Sequence, residues 1–324
     1  MAERVRITDV SPRDGLQNEP GVITTADKVR LVELLCATGV DEVEVSSFVS
    51  AKWVPQLGDA AEVLAGAAGA KRPGLEFSAL VPNEKGMEAL LGVNATSPLV
   101  DKVCLFTAAS ETFNKKNTNA TIAESFERFA PVLRAAWRQQ LAVKIYISCA
   151  FGCPFEGEVP VGKTVDTVRM ALAALAPWLY RDEGPGGFGD TEVSIADTIG
   201  VATPGDIHKV MEKAGPDGDL EGMWVESRGA RPNLHLHDTF GRAAACVRAG
   251  LESGVRSFDG SAAGLGGCPY ASTPGKRAPG NINTELLVKT VEAAGFETGV
   301  DLAKLSEAGA LASQIVAAAR AAGG

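Results

Sequence analysis

The chain has 324 residues, 45% hydrophobic, 22% charged and only 6% aromatic, a balance ordinary for a globular α/β protein able to enclose one large core. A formal charge of −9 argues against nucleic acid and anionic membrane as main partners, since both reward basic surfaces; an anionic small molecule would need local Lys and Arg. The six cysteines, Cys36, Cys104, Cys149, Cys153, Cys246 and Cys268, lack Cys-x-x-Cys spacing, which suggests a reducing compartment. With no leader-like opening and no charge-free apolar run of about 20 residues, the expectation is a cytoplasmic protein.

Short runs rich in Val, Ile and Phe alternate with longer runs of helical period, the order expected of parallel strands joined by crossover helices. Strands are predicted at 5–10, 42–46, 75–81, 102–106, 143–149, 192–196, 233–237 and 257–261. The first helix opens at Thr24 or Thr25, whose hydroxyl can cap it, and repeats Val29, Val32, Leu35 and Cys36 on one side. Further helices are predicted near 56–68, 85–91, 122–137, 163–178, 204–213, 242–253 and 284–294. Eight such units without a long linker predict one (β/α)8 TIM barrel over about 5–295, in a single catalytic domain covering 1–324. An amphipathic tail at 302–320, with Leu305, Leu311, Ile315 and Val316, adds a C-terminal helix expected to pack on the barrel or on a second subunit. The Gly-rich stretches 181–190 and 215–232 lead from helices into strands and read as structural loops of the non-catalytic face.

Of only three histidines, His235 and His237 stand two apart on the seventh predicted strand, so both imidazoles point the same way. They are either core histidines satisfied by hydrogen bonds or one edge of a metal site. Asp14, just past the first strand, comes near them when the barrel closes, although Arg13 and Asp14 also read as an exposed turn with an ion pair. Two imidazoles with oxygen donors and no thiolate suit octahedral Mg or Mn with positions left for substrate. After the eighth strand, Gly264-Leu-Gly-Gly-Cys-Pro-Tyr270 reads as a mobile lid holding the Cys268 thiol over the site. The other five cysteines read as packing residues.

Six motifs occur in order: Ser11-Pro-Arg-Asp-Gly-Leu-Gln-Asn-Glu19, the run from Glu44 to Gln56, Ser148-Cys-Ala-Phe-Gly-Cys-Pro-Phe-Glu-Gly157, Asp197-Thr-Ile-Gly200, His235-Leu-His-Asp-Thr-Phe-Gly241 and the lid. On these the chain resembles the 3-hydroxy-3-methylglutaryl-CoA lyase family over nearly its whole length. The resemblance implies Asp14, His235, His237 and Asn281 as metal ligands, and Arg13 as the residue neutralising a thioester enolate. It implies Glu44 as a catalytic acidic residue near the substrate hydroxyl, Asp197 as a carboxylate beside the site and Cys268 as the lid acid, with Gln17 joining Arg13 and Asp197 as substrate contacts. Lys115, Lys116, Lys276 and Arg277 are candidates for coenzyme A phosphates, or ordinary solvated charges. The segment 271–280 is longer than the family pattern, Pro20 replaces a frequent Lys, Phe240 a frequent Tyr and Ala196 a usual Gly.

The implied activity is a retro-Claisen cleavage giving acetyl-CoA and acetoacetate. The alternatives are a longer-chain or citramalyl-type CoA ester, a condensing synthase, or a catalytically silent CoA-binding barrel. The expected partners are an acyl-CoA substrate and a second copy of the chain, in a homo-oligomer taken as a dimer.

Overall fold

A computed structural model describes residues 2–179, 190–226, 230–267 and 279–323. Its strands β1 (Arg6–Asp9), β2 (Glu42–Ser47), β3 (Glu76–Leu80), β4 (Lys102–Ala108), β5 (Ala142–Ser148), β6 (Glu192–Asp197), β7 (Arg231–Leu236) and β8 (Ser257–Gly260) are all parallel. They close into the expected barrel, with Arg6 of β1 opposite Ser257 of β8. Around them lie α1 (Thr25–Ala37), α2 (Ala60–Ala67), α3 (Glu84–Thr96), α4 (Glu111–Thr118), α5 (Ile122–Arg138), α6 (Val161–Leu179), α7 (Pro204–Ala214), α8 (Glu221–Glu226), α9 (Ala243–Glu252) and α10 (Thr284–Ala293). The last element, α11 (Leu302–Gly323), packs on α1 and α10. No helix among the described residues is long and apolar enough to cross a membrane.

Helix starts follow their caps. The Thr24 hydroxyl accepts from the Asp27 amide at the head of α1, and Thr121 and Glu124 form a reciprocal capping box on α5. α2 begins later than predicted, because a 3-10 turn at Pro55–Leu57 and then Gly58 precede it. α4 was not predicted: it is short and polar, leaving no apolar stripe to read, and it forms between a Ser110 cap and Asn119 in the left-handed region. The stretch 215–232 also contains a helix, α8. A two-stranded antiparallel pair, Gly152–Cys153 with Gly157–Glu158, follows β5.

The core has two parts. Outward strand residues such as Val103, Leu105, Ile145 and Val193 pack against the helices. The lumen is charged instead. The fully buried Lys102 ammonium lies 2.5 Å from Glu42, 3.0 Å from Glu76 and 3.3 Å from Glu192. Lys144, equally buried, lies 2.6 Å from Asp259 and 3.4 Å from Glu192. Buried charges persist only when paired in this way.

The C-terminal helix also reaches the loop after β1. Arg320 clasps both oxygens of Glu19 at 2.8 and 2.9 Å, and Gly21 sits so close to α11 that a Cβ there would fall 1.9 Å from the Ala319 carbonyl oxygen.

Candidate active site

β1 runs into a π-helical turn, Ser11–Gly15, in which the amides of Asp14 and Gly15 both donate to the Val10 carbonyl. Pro12 lacks an amide to continue a regular ladder, and turns of this class often re-aim side chains at functional sites. Here the turn places Arg13 and Asp14 over the mouth of the barrel. Arg13 is buried, which removes the reading of an exposed ion pair. Its guanidinium spans two carboxylates, Glu44 at 2.6 Å and Asp14 at 2.8 Å. Glu44, fully buried on β2, also accepts from the Tyr146 hydroxyl at 3.4 Å. Burial raises the Glu44 pKa from its ordinary value, against the pull of Arg13.

His235 lies on β7 and His237 just beyond it, both aimed into the mouth, with their Nε2 atoms 3.3 Å apart. The chain returns antiparallel past the end of β7: the Asp238 backbone amide donates to the Gly280 carbonyl, and His237 bridges to Asn281. This delivers Asn281, whose Nδ2 donates to Asp14 at 2.7 Å and to the Leu265 carbonyl at 3.0 Å. Gln17 also donates to Asp14, at 2.9 Å. Gly266, at φ 101°, makes the arrangement possible, since a Cβ there would lie 2.6 Å from the Asn281 amide nitrogen and 3.1 Å from the Asp14 carboxylate.

These groups fit a divalent cation. Asp14, His235 and His237 each offer a ligand atom within 4.8 Å of the others, and Oδ1 of Asn281 has no partner among the described residues. Burial raises the Asp14 carboxyl, but Arg13 and the two histidines outweigh it and bring the pKa down to about 2, so Asp14 is an anion. Burial and the neighbouring His235 lower His237 to about 4, leaving the neutral imidazole that a metal needs.

The structure also brings in residues that the sequence reading passed over. Nδ1 of His235 meets Asp259 of β8 at 3.1 Å. Lys144 binds the other Asp259 oxygen at 2.6 Å, and Asn233 donates to that oxygen at 2.9 Å. Asp259 is held ionised, burial being outweighed by Lys144 and His235, so Nδ1 carries the proton and the Nε2 lone pair faces the metal position. A lysine inside an otherwise apolar parallel strand, as at 102 and 144, was the available signal. Such strands are buried on both faces, and a cation there demands an anion across the lumen.

Asp197 is buried at the end of β6 but faces its own loop, where it accepts from the Val201 and Ala202 amides at 3.0 and 2.9 Å. Lys115 and Lys116 are exposed on α4 at the catalytic end of the barrel, Lys116 lying 4.8 Å from the Phe155 ring centroid. Cys268, Lys276 and Arg277 lie outside the described residues. The other five cysteines are buried.

Comparison with known proteins agrees with this geometry. The family model described as HMGL-like matches residues 4–312. A mitochondrial hydroxymethylglutaryl-CoA lyase of Homo sapiens is 42% identical over 309 residues, 95% of this chain and 85% of the relative. A 3-hydroxy-3-isohexenylglutaryl-CoA/hydroxymethylglutaryl-CoA lyase of Pseudomonas aeruginosa is 43% identical over 311 residues, 95% of this chain and 92% of the relative. Among solved structures, a hydroxymethylglutaryl-CoA lyase of Pseudomonas aeruginosa superposes with a TM-score of 0.82 at 41% identity, covering 97% of this chain and 94% of its own. One from Acinetobacter baumannii, in complex with coenzyme A and 3-methylmalate, gives 0.80 at 31% identity, covering 97% and 92%. With a matching model along almost its full length and relatives above 40% identity, the chain belongs to the HMGL-like family.

Proposed function

We propose that this chain cleaves 3-hydroxy-3-methylglutaryl-CoA to acetyl-CoA and acetoacetate. The observation that carries the proposal is the Asp14–His235–His237 cluster lying beside the buried Arg13–Glu44 pair, in a chain whose relatives carry that lyase name. The Pseudomonas aeruginosa relative is named for two substituents on one glutaryl-CoA frame, methyl and isohexenyl, and we place the substrates of this chain in the same class.

Asp14, His235, His237 and Asn281 would hold the cation, Mg or Mn by the nitrogen and hard-oxygen character of the donors. When bound, it supplies Lewis acidity that lowers the pKa of the substrate hydroxyl and orients the bond to be broken. The remaining work belongs to the side chains. The tertiary hydroxyl gives its proton to Asp14, because His235 has its Nδ1 proton held by Asp259 and its Nε2 turned to the cation, while the bond between the carbinol carbon and the thioester methylene breaks. The bonding pair passes into the thioester as an enolate, and Arg13 faces the oxygen on which charge grows. Glu44 holds the guanidinium in place and keeps Oε1, which has no partner among the described residues, available near the substrate hydroxyl. Cys268 gives a proton to the enolate carbon, so one proton leaves oxygen and one arrives on carbon, with no net uptake. Gln17 fixes Asp14, Asp197 shapes the neighbouring loop, and Lys115, Lys116, Lys276 and Arg277 offer charge to coenzyme A phosphates.

We further place the protein in the cytoplasm, as a single catalytic domain that assembles into a homodimer; gel filtration with light scattering tests the assembly. Acetoacetate release from 3-hydroxy-3-methylglutaryl-CoA, with and without chelator, tests the activity. We expect turnover that chelator abolishes and Mg or Mn restores, and no cleavage with either metal in excess would overturn the assignment.

A further inference from the structure

The mouth of the barrel is chemically divided. The end of β1, β2, β7 and the 280–283 segment supply Arg13, Asp14, Glu44, His235, His237 and Asn281, every one polar. Across the lumen, β3, β4 and β5 supply Leu80, Cys104, Phe106 and Tyr146. These form a small apolar cluster separate from the core beneath the helices. Strand alternation carries Lys102, Cys104 and Phe106 to the lumen side of β4, with Leu80 registered beside Cys104 and Phe106 beside Tyr146. Phe106 is only partly buried and Leu80 retains 8% exposure, while Cys104 is sealed behind them.

Tyr146 joins the two halves. Its ring stands edge-on to His235 with centroids 5.7 Å apart, the Arg13 guanidinium lies 5.6 Å from the ring centroid, and its hydroxyl reaches Glu44. The apolar arc therefore begins directly beside the reacting centre. The carbinol carbon of the substrate class proposed above bears a hydroxyl, a carboxymethyl arm, an acyl-CoA arm and one alkyl substituent. The first three carry all the polar atoms and match the polar half of the mouth. The alkyl group has no polar atom to satisfy there, and burying it beside charged side chains would strip them of solvent without replacing it.

We propose that Leu80 and Phe106 determine specificity for the C3 substituent: they form the wall on which it packs, and their bulk limits its length. The inference rests on the lyase reading. Burial pushes the Cys104 thiol well above its ordinary pKa, so it serves as backing for the wall and not as a nucleophile.

The test compares kcat/KM for 3-hydroxy-3-methylglutaryl-CoA and its 3-ethyl and 3-butyl analogues, using wild type, Leu80→Ala, Phe106→Leu and the reverse change Leu80→Phe. Each methylene in an apolar pocket shifts discrimination by roughly tenfold or more. We expect Leu80→Ala and Phe106→Leu to raise the butyl-to-methyl ratio at least about tenfold and Leu80→Phe to lower it, with Mn2+ affinity unchanged. A ratio that stays constant across all three variants, in enzyme that still cleaves the methyl substrate, overturns the proposal and leaves the lyase reading standing. Wild type that cleaves none of the thioesters with metal present overturns both.

Discussion

Asp259 holds His235 from behind: one carboxylate oxygen meets Nδ1 at 3.1 Å, and Lys144 fixes the other at 2.6 Å. Asp259→Asn keeps the shape but weakens the acceptor that fixes the imidazole tautomer. Mn2+ affinity, followed by electron paramagnetic resonance titration, is expected to fall by about 10- to 100-fold with the far-ultraviolet dichroism unchanged. Native affinity in this variant would mean that packing alone orients the ring.

His235→Ala and Asp14→Ala each remove a donor from a cation with few protein ligands. Turnover should drop by roughly a thousandfold or more, chiefly because metal binding weakens. Near-normal rates from both variants under limiting metal would sink the ligand assignment.

For Arg13→Lys the loss should appear in kcat. An ammonium cannot reproduce the planar fork that spans Glu44 at 2.6 Å and Asp14 at 2.8 Å, nor face the enolate oxygen with the same donors. We expect kcat to fall by about a hundredfold or more, with a much smaller change in KM. An effect confined to KM would make Arg13 a substrate anchor only.

Lys102→Met should act on stability. It leaves Glu42 and Glu192, both fully buried, facing one another without their shared cation. Urea denaturation should show a loss of about 3–5 kcal/mol. A variant as stable as wild type would mean that these carboxylates take up protons in the folded state.

Asp197 predicts a pH dependence of stability. Burial pushes its pKa up to about 6 from an ordinary 3.8, against the amide hydrogen bonds of Ala202 and Val201. The folded state therefore binds this proton more tightly than the unfolded chain. The penalty for the ionised form is fully present above about pH 7 and is relieved as pH falls through 6 towards 4. The gap in unfolding free energy between wild type and Asp197→Asn should change by about 2 kcal/mol between pH 7 and 4.5, in favour of wild type at the acid end. Urea midpoints at pH 4.5 and 7 measure it, and a constant gap would contradict the shift.

The strands were legible because their outward residues, such as Val103, Leu105 and Val193, form apolar runs bounded by turn residues. All eight were placed within two residues of their ends. The two histidines were legible from their spacing. Glu44 and Asn281 carried no local signal and entered only through the resemblance: one is a strand carboxylate, and the other arrives by an antiparallel return that no sequence period encodes. Asp259 was missed because its meaning lies across the lumen, in Lys144 from a strand more than a hundred residues earlier. The π-helical turn was missed because Pro12 reads equally well as the start of an irregular loop.

The clasp between Arg320 and Glu19 joins residues 301 positions apart in sequence. Asn281 and Arg320 are translated well after Arg13, Asp14 and Glu19. The loop that follows Asp14 thus receives this support only from a helix that lies 301 positions further along the chain. A chain cut before Asn281 carries Asp14 without the amide that reaches it at 2.7 Å, so the Asp14 side of the mouth cannot be completed from the early strands alone.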